Sequence, residues 1–304
     1  MKKNVLISGG TGFIGKNLTH LLIEKGFSIS ILSRSEKENT DNISYYKWDV
    51  DKNYIDDNAV LNADYIIHLA GEGIADKRWT AKRKKAIVES REKSAELIYS
   101  VLKKDDKKPE AFISASGLGI YGAINSEIIC TENTPPANDF LGTTCQKWEA
   151  GANHIEQLGI RTIKIRTGLV LGKEEGLLKK LTPIFKLKLG SALGSGRQYM
   201  PWIHIDDLCA IYLEALINTK MSGAYNAAIN DNTTNGIFSE TLAKIYGYSI
   251  WLPNVPAFLL QIVLGEMAQI VLAGPRASSD KIENIGFKFK YQILENALRD
   301  CLQK

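Results

Sequence analysis

The chain has 304 residues, 44% of them hydrophobic and 24% charged, with a formal charge of +4. That is too long for one small core, short for two independent domains of usual size, and of ordinary soluble composition. The mild charge is spread along the chain. Its densest run, "KRWTAKRKK" (77–85), is soon followed by Glu89, Glu92 and Glu96 and reads as a solvated helix face, so no nucleic-acid partner is expected.

Lys2 and Lys3 precede only a short apolar run, so no secretory signal is evident. From there, short apolar segments alternate with helical patterns. "NVLIS" (4–8), "SISIL" (28–32), "ADYIIHLA" (63–70) and "EAFISAS" (110–116) read as buried parallel strands, with another before "WDVD" and a further one in "RTIKIRTGLVLG" (161–172). Helices are expected after the first strand, ending at Gly26, then over 80–102 and 140–158. The charged turn "KKDDKKP" is an exposed connection. This order predicts an α/β fold, a Rossmann-type doubly wound parallel sheet. After Gly172 the alternation is lost. The expected division is a dinucleotide-binding domain over 1–172 plus about 205–228, and a smaller substrate-binding region over 173–204 and 229–304. Within the latter, 255–274 is apolar enough to suggest a membrane span, but Gln261, Glu266 and Gln269 interrupt it. A carboxylate near a bilayer centre costs roughly 2.5–3.5 kcal/mol, so a mostly buried helix is expected there and no membrane association. Cys130, Cys145, Cys209 and Cys301 are far apart, with no metal-ligand spacing and no need of a disulfide framework. No metal is expected, and a reducing, cytoplasmic setting fits.

"SGGTGFIG" (8–15) carries the chemistry. Gly9, Gly10, Gly12 and Gly15, with Thr11, Phe13 and Ile14 between them, follow an apolar strand and open an amphipathic helix. Early glycines bring backbone N–H groups against a pyrophosphate, the last lets helix and strand pack closely, and the helix N-terminus favours the anion. About twenty positions on, an NAD-binding chain places an acid against the ribose 2′-hydroxyl. Here stand Ser33 and Arg34, with Lys37 nearby, so a 2′-phosphate is favoured and NADP(H) is expected over NAD(H). Glu36 is the competing acid. Asp49 is placed to meet the adenine or to close a turn.

"GGTGFIG", "HLAG" (68–71), "SASGLGIYG" (114–122), "RTGLVLG" (166–172) and "WIHIDDL" (202–208) occur in the order found in extended short-chain dehydrogenases/reductases. "AGEGIADKRW" (70–79) and "GSGRQYMPWIHIDD" (194–207) narrow the resemblance to an atypical, epimerase-like branch whose substrates are largely unassigned. The resemblance implies cofactor contacts at Leu69, Ala70 and Gly71 and, through the 80–102 and 140–158 helices, a homodimer. In the wider family a Tyr-x-x-x-Lys pair moves the proton, with a serine polarising the substrate carbonyl. Anchored on Glu149, the lysine slot holds Cys145 and the tyrosine slot Leu141; a slip of one offers only Phe140. Tyr99 and Lys103 match the spacing on the wrong helix. Ser116 and Tyr121 are five apart where relatives have four, with Gly117 in the usual serine slot.

Tyr121 is the best remaining proton donor, with Ser116 as polariser, or it merely lines the pocket. Lys77, Arg78 and Trp79 suit an anionic or planar ligand, or form a loop held down by Trp79. Arg197 is placed to meet a phosphate, His204 to bind a substrate, and Arg166 to support the site from beneath; Cys145 is either a redox-sensitive thiol or inert filler. Two functional readings stay open: an NADP(H)-dependent oxidoreductase-like or epimerase-like protein acting on a small, anionic substrate, and a non-catalytic NADP(H)-responsive regulator.

Overall fold

Alternate side chains along the strands feed two different cores, which is why the sheet must be covered on both faces. In the computed structural model, which describes residues 2–173 and 175–302, Val5 and Ile7 of strand β1 (Asn4–Ser8) enter one core while Leu6 enters the other. Helix α1 (Phe13–Glu24) follows, then β2 (Ser28–Ser33), β3 (Ile43–Asp49), a short β4 (Tyr54–Ile55), α2 (Asp57–Leu61) and β5 (Tyr65–His68). Next come α3 (Ala81–Leu102), β6 (Ala111–Gly117), β7 (Ile129–Cys130), α4 (Phe140–Glu156), β8 (Thr162–Thr167) and β9 (Leu169–Leu171). The remainder holds α5 (Gly176–Lys186), β10 (Trp202–His204), α6 (Ile205–Ile217), β11 (Gly223–Ala227), α7 (Asn235–Ile245), α8 (Ala257–Leu264), α9 (Gln269–Leu272), β12 (Arg276–Ala277), α10 (Asp280–Asn284) and α11 (Leu294–Leu302).

The main sheet has eight strands in the order β11-β8-β6-β5-β1-β2-β3-β4, parallel throughout except for β4, which pairs antiparallel with β3 at the edge. One face is packed by Leu18 and Leu22 of α1, Leu208 and Ile211 of α6, Phe238 and Leu242 of α7 and Leu298 of α11. The other is packed by Val60 of α2, Leu97 and Ile98 of α3 and Ala152 and Ile155 of α4. Each such side chain contributes roughly 1.5–3 kcal/mol on burial. From β1 the chain builds outward through β2 to one edge and through β5 to the other. The strand order therefore reverses between β1 and β5, which leaves a crevice at their carboxyl ends.

Two expectations need correcting. The segment 161–172 is not one strand: it breaks at Gly168, and β9 leaves the main sheet to pair with β10. A Cβ on Gly168 would lie 2.3 Å from the Pro201 carbonyl oxygen, so glycine is what lets the chain turn off against that backbone. Nor is 255–274 a mostly buried helix. Gly265 adopts φ +62° and stops α8 after eight residues, none of them buried, and Phe258, Ile262 and Val263 are exposed. The hydrophobic pattern reported composition there, whereas backbone breaks decide where the pieces lie. Among the described residues, no helix is long and apolar enough to cross a membrane.

Candidate functional site

The turn after β1 is built for close backbone approach. Gly9 has φ +74°, and a Cβ there would sit 3.0 Å from the Ala70 nitrogen and the Leu69 carbonyl carbon. A Cβ on Gly10 would press on the Ile31 side chain at 3.0 Å, and one on Gly15 would lie 2.3 Å from the Gly9 carbonyl oxygen. Gly12 is the N-cap of α1, with no side chain capping it and no acid in the first turn. The helix therefore offers bare N–H groups and the positive end of its dipole to the crevice. These features fit a dinucleotide diphosphate. The turn is tied to the end of β5 by the Leu69 nitrogen, which donates to the Ser8 carbonyl (3.0 Å), and by the Ala70 nitrogen, which donates to Ser8 Oγ (3.3 Å).

At the end of β2, Ser33 is buried and donates to the Ser35 carbonyl (2.7 Å), whereas Arg34 is exposed. Arg34 has no ion-pair partner among the described residues, and Glu36 faces Lys47 of β3 at 3.8 Å. Arg34 and Lys77 share a neighbourhood around Glu72. A hydrogen bond from Arg83 holds the Glu72 carboxyl below its usual range, and the charges of Arg34 and Lys77 act in the same sense. Asp49 closes its own turn, accepting from the Lys52 nitrogen at 3.2 Å and facing its ammonium at 3.7 Å.

At the end of β5, the His68 side chain is fully buried between Ser8 Oγ (2.7 Å to Nδ1) and Ser94 Oγ (3.1 Å to Nε2). Burial, helped by the nearby Arg91 cation, pulls its pKa down to about 4 and keeps the ring neutral. Arg91 of α3 is itself buried and stacks over the Trp148 ring of α4, 4.4 Å from the centroid. Burial lowers its pKa to about 10, which leaves it cationic at neutral pH. Cys145 lies close to Gly117, and burial, reinforced by the Glu149 charge, pushes its thiol up to about 12. That is the setting of an inert thiol.

Ser116 and Tyr121 stand in one buried network. Ser116 Oγ donates to Glu149 Oε1 at 2.8 Å. Arg166 grips the same carboxylate with Nε (2.8 Å) and Nη2 (2.9 Å), and its Nη1 donates to the Tyr121 hydroxyl oxygen (3.1 Å) and the Glu132 carbonyl (3.0 Å). The Tyr121 hydroxyl in turn donates to Asn226 Oδ1 at 2.7 Å. Burial raises the Tyr121 pKa to about 12, only partly opposed by Arg166. Burial would also weaken the Arg166 cation, but its bonds to Glu149 leave its pKa above the ordinary arginine value. Both hydroxyl protons thus point at protein acceptors, and Arg166 sits beneath the strand ends.

Residues 5–228 match the model of the NAD dependent epimerase/dehydratase family, and residues 255–301 match a domain of unknown function, DUF1731. This chain belongs to the epimerase/dehydratase family. It is 35% identical over 300 residues to the epimerase family protein YfhF of Bacillus subtilis, covering 98% of each chain. It is 34% identical to the epimerase family protein SAR0825 of Staphylococcus aureus, over 99% of this chain and all of that one. Among solved structures, the human epimerase family protein SDR39U1 with NADPH superposes with a TM-score of 0.86 at 28% identity, covering 99% of each chain. The resemblance to an atypical epimerase-like branch of the short-chain dehydrogenases/reductases therefore holds.

Within that family frame, the loop after β5 is pinned rather than free. Trp79 is buried, its indole N–H donates to the Ile74 carbonyl (2.8 Å), and its ring meets Phe140 edge-on at 4.6 Å. Lys77 and Arg78 are exposed, and the Arg78 guanidinium lies 3.0 Å from where a Cβ on Gly265 would stand. Gly265 borders a cavity of about 630 Å³ whose wall also includes Asn125, Asp139, Gln261 and Gln269. Arg197 is exposed in its glycine turn, with its backbone N–H on Ser195 Oγ. His204 caps α6, accepting from the Asp206 nitrogen at 3.2 Å, and stacks on Tyr291 at 3.8 Å. It borders a different cavity, about 780 Å³, which shares only Phe13 with the expected cofactor residues. Sequence reasoning missed His68 and Arg91 as parts of the site. The signal for Arg91 was its spacing: with Ile87, Ser94 and Ile98 it falls on the buried stripe of α3.

Proposed function

We propose that this chain is an NADP(H)-binding, oxidoreductase-like or epimerase-like protein that acts on a small substrate without the Tyr–Lys pair. The observation that carries the reading is the glycine turn with its bare helix N-terminus, flanked by an exposed Arg34 that makes no ion pair among the described residues. Glu36, the acid that would favour NAD, is turned toward Lys47, which leaves the 2′-position to a cation. The bound cofactor would supply or accept hydride. The chain's own part is to grip the diphosphate, seat the 2′-phosphate and exclude water. The reading places the substrate in the cavity beside Gly265, with carboxamides for its hydroxyl groups and Arg78, packed against Gly265, near enough for an anionic substituent. It assigns no proton transfer to Tyr121, whose hydroxyl is held by Asn226 and Arg166; Tyr121 and Ser116 stiffen the strand ends beneath the nicotinamide half.

The test is fluorescence titration of nucleotide-free protein with NADPH and with NADH. Selective NADPH binding that collapses in Arg34→Ala supports the reading, and binding of neither sinks it. A carbonyl-substrate screen then follows, with Tyr121→Phe as control. A second reading, a non-catalytic NADP(H)-responsive regulator, is favoured by the committed hydroxyls of Ser116 and Tyr121; it predicts tight cofactor binding with no turnover across that screen. The reading also includes a homodimer through α3 and α4, and sedimentation showing only monomer at micromolar concentration removes it.

A further inference from the structure

Arg91 is a buried cation whose only nearby carboxylate charge among the described residues, that of Glu72, acts on it from beyond ion-pair range. It is 7% exposed, and no carboxylate pairs with it among the described residues. Its Nη1 donates to the carbonyls of Glu72 (3.0 Å) and Ile87 (2.7 Å), its Nε is buried with no partner, and its Nη2 makes no hydrogen bond among the described residues. Buried guanidinium groups ordinarily stand against carboxylates, because an unpaired buried charge is costly. The Trp148 face below it compensates only in part.

Its position says what anion is missing. A Cβ on Gly71 would lie 3.0 Å from Arg91 Cζ and 3.3 Å from Nε, so the guanidinium lies directly against the bare backbone of Gly71. Gly71 is exposed and follows Ala70, against which the dinucleotide turn closes. Arg91 also acts electrostatically on Cys145, which stands beside Gly117 at the end of β6. The cation therefore lies between the end of β5 and the end of β6, with Glu72 between it and Arg34 at the end of β2. A dinucleotide laid across the switch point from Arg34 brings its diphosphate and nicotinamide ribose there.

We propose that Arg91 binds the cofactor beside the bare backbone of Gly71, its Nε–H and Nη2–H donating to oxygens of the nicotinamide-side phosphate and nicotinamide ribose. It supplies from α3 the positive charge that no residue of α4 supplies at Cys145. This rests on the NADP(H) reading above. Arg91 is a binding residue here and moves no proton.

The experiment titrates the full chain with two ligands, NADPH and adenosine 2′,5′-bisphosphate, which keeps the Arg34 end and lacks the other half. In Arg91→Gln, NADPH affinity falls by about tenfold or more, the worth of one charge-assisted hydrogen bond, while the bisphosphate stays within about twofold. Arg91→Lys, which keeps the charge and loses the planar fork, falls about threefold for NADPH alone. Equal losses for both ligands, or no loss for either in a variant that melts like the wild type, overturn the inference and leave Arg91 as a clamp on the Glu72 backbone. Should Arg91→Gln not fold, Arg91→Lys decides by the same comparison. Wild-type protein that binds neither ligand overturns the NADP(H) reading and this inference with it; wild-type binding without the Arg91 effect overturns this inference alone.

Discussion

Replacing Glu149 by leucine removes the one carboxylate that accepts from Ser116 Oγ and from two nitrogens of Arg166. Arg166 then keeps its charge in a buried site, with only the Tyr121 hydroxyl and the Glu132 carbonyl left to it. Breaking a buried pair in this way costs about 3–5 kcal/mol. With an unfolding entropy of roughly 2.1 cal/mol/K per residue over 304 residues, that corresponds to a fall in Tm of about 5–8 °C. The paired variant Glu149→Leu/Arg166→Met removes both charges, so it is expected to recover more than half of the loss. Thermal and urea unfolding followed by circular dichroism measure the parent, Glu149→Leu, Arg166→Met and the double variant. A single variant that loses less than about 1 kcal/mol, or a double variant whose loss equals the sum of the singles, refutes the claim that one coupled ion pair holds the ends of β6 and β8 to α4.

Gly15→Ala places a methyl 2.3 Å from the Gly9 carbonyl oxygen, so it is expected to lose cofactor binding and about 1–3 kcal/mol of stability; unchanged titration and melting curves would count against the close-approach argument. Tyr121→Phe deletes a hydroxyl that donates to Asn226 and accepts from Arg166; it is expected to cost about 1–2 kcal/mol in urea unfolding without abolishing any turnover found, whereas complete loss of turnover at intact stability would restore the tyrosine as acid. His68 makes stability fall with acid. Its folded pKa of about 4 lies below the ordinary 6.5, so the unfolded chain binds the proton first; its contribution is complete above pH 6.5 and is lost as the pH falls toward 4, with a slope of up to about 1.4 kcal/mol per pH unit. Urea midpoints at pH 7 and pH 5 should therefore converge in His68→Gln relative to the parent, and an identical slope in both proteins would discard the assignment.

The alternating apolar strands, the helix between the first two and the glycine turn were legible from the chain alone, because each is a local matter. A period of two places Leu6 and Ile7 on opposite faces whatever surrounds them, and the tight turn needs its glycines within a few residues of one another. The cation at Arg34 was legible for the same reason, since it follows its strand at a set distance from the turn. Tertiary structure alone decided the rest. Ser8 meets His68 across sixty positions, and Ser116, Glu149 and Arg166 converge from two strands and a helix. No local spacing constrains such contacts, and it is they that bury Tyr121, quiet Cys145 and leave Arg91 cationic beside Gly71. The break at Gly168 is of the same kind: an apolar run reads as one strand until the Pro201 carbonyl, thirty-three residues on, takes up the space a side chain would need.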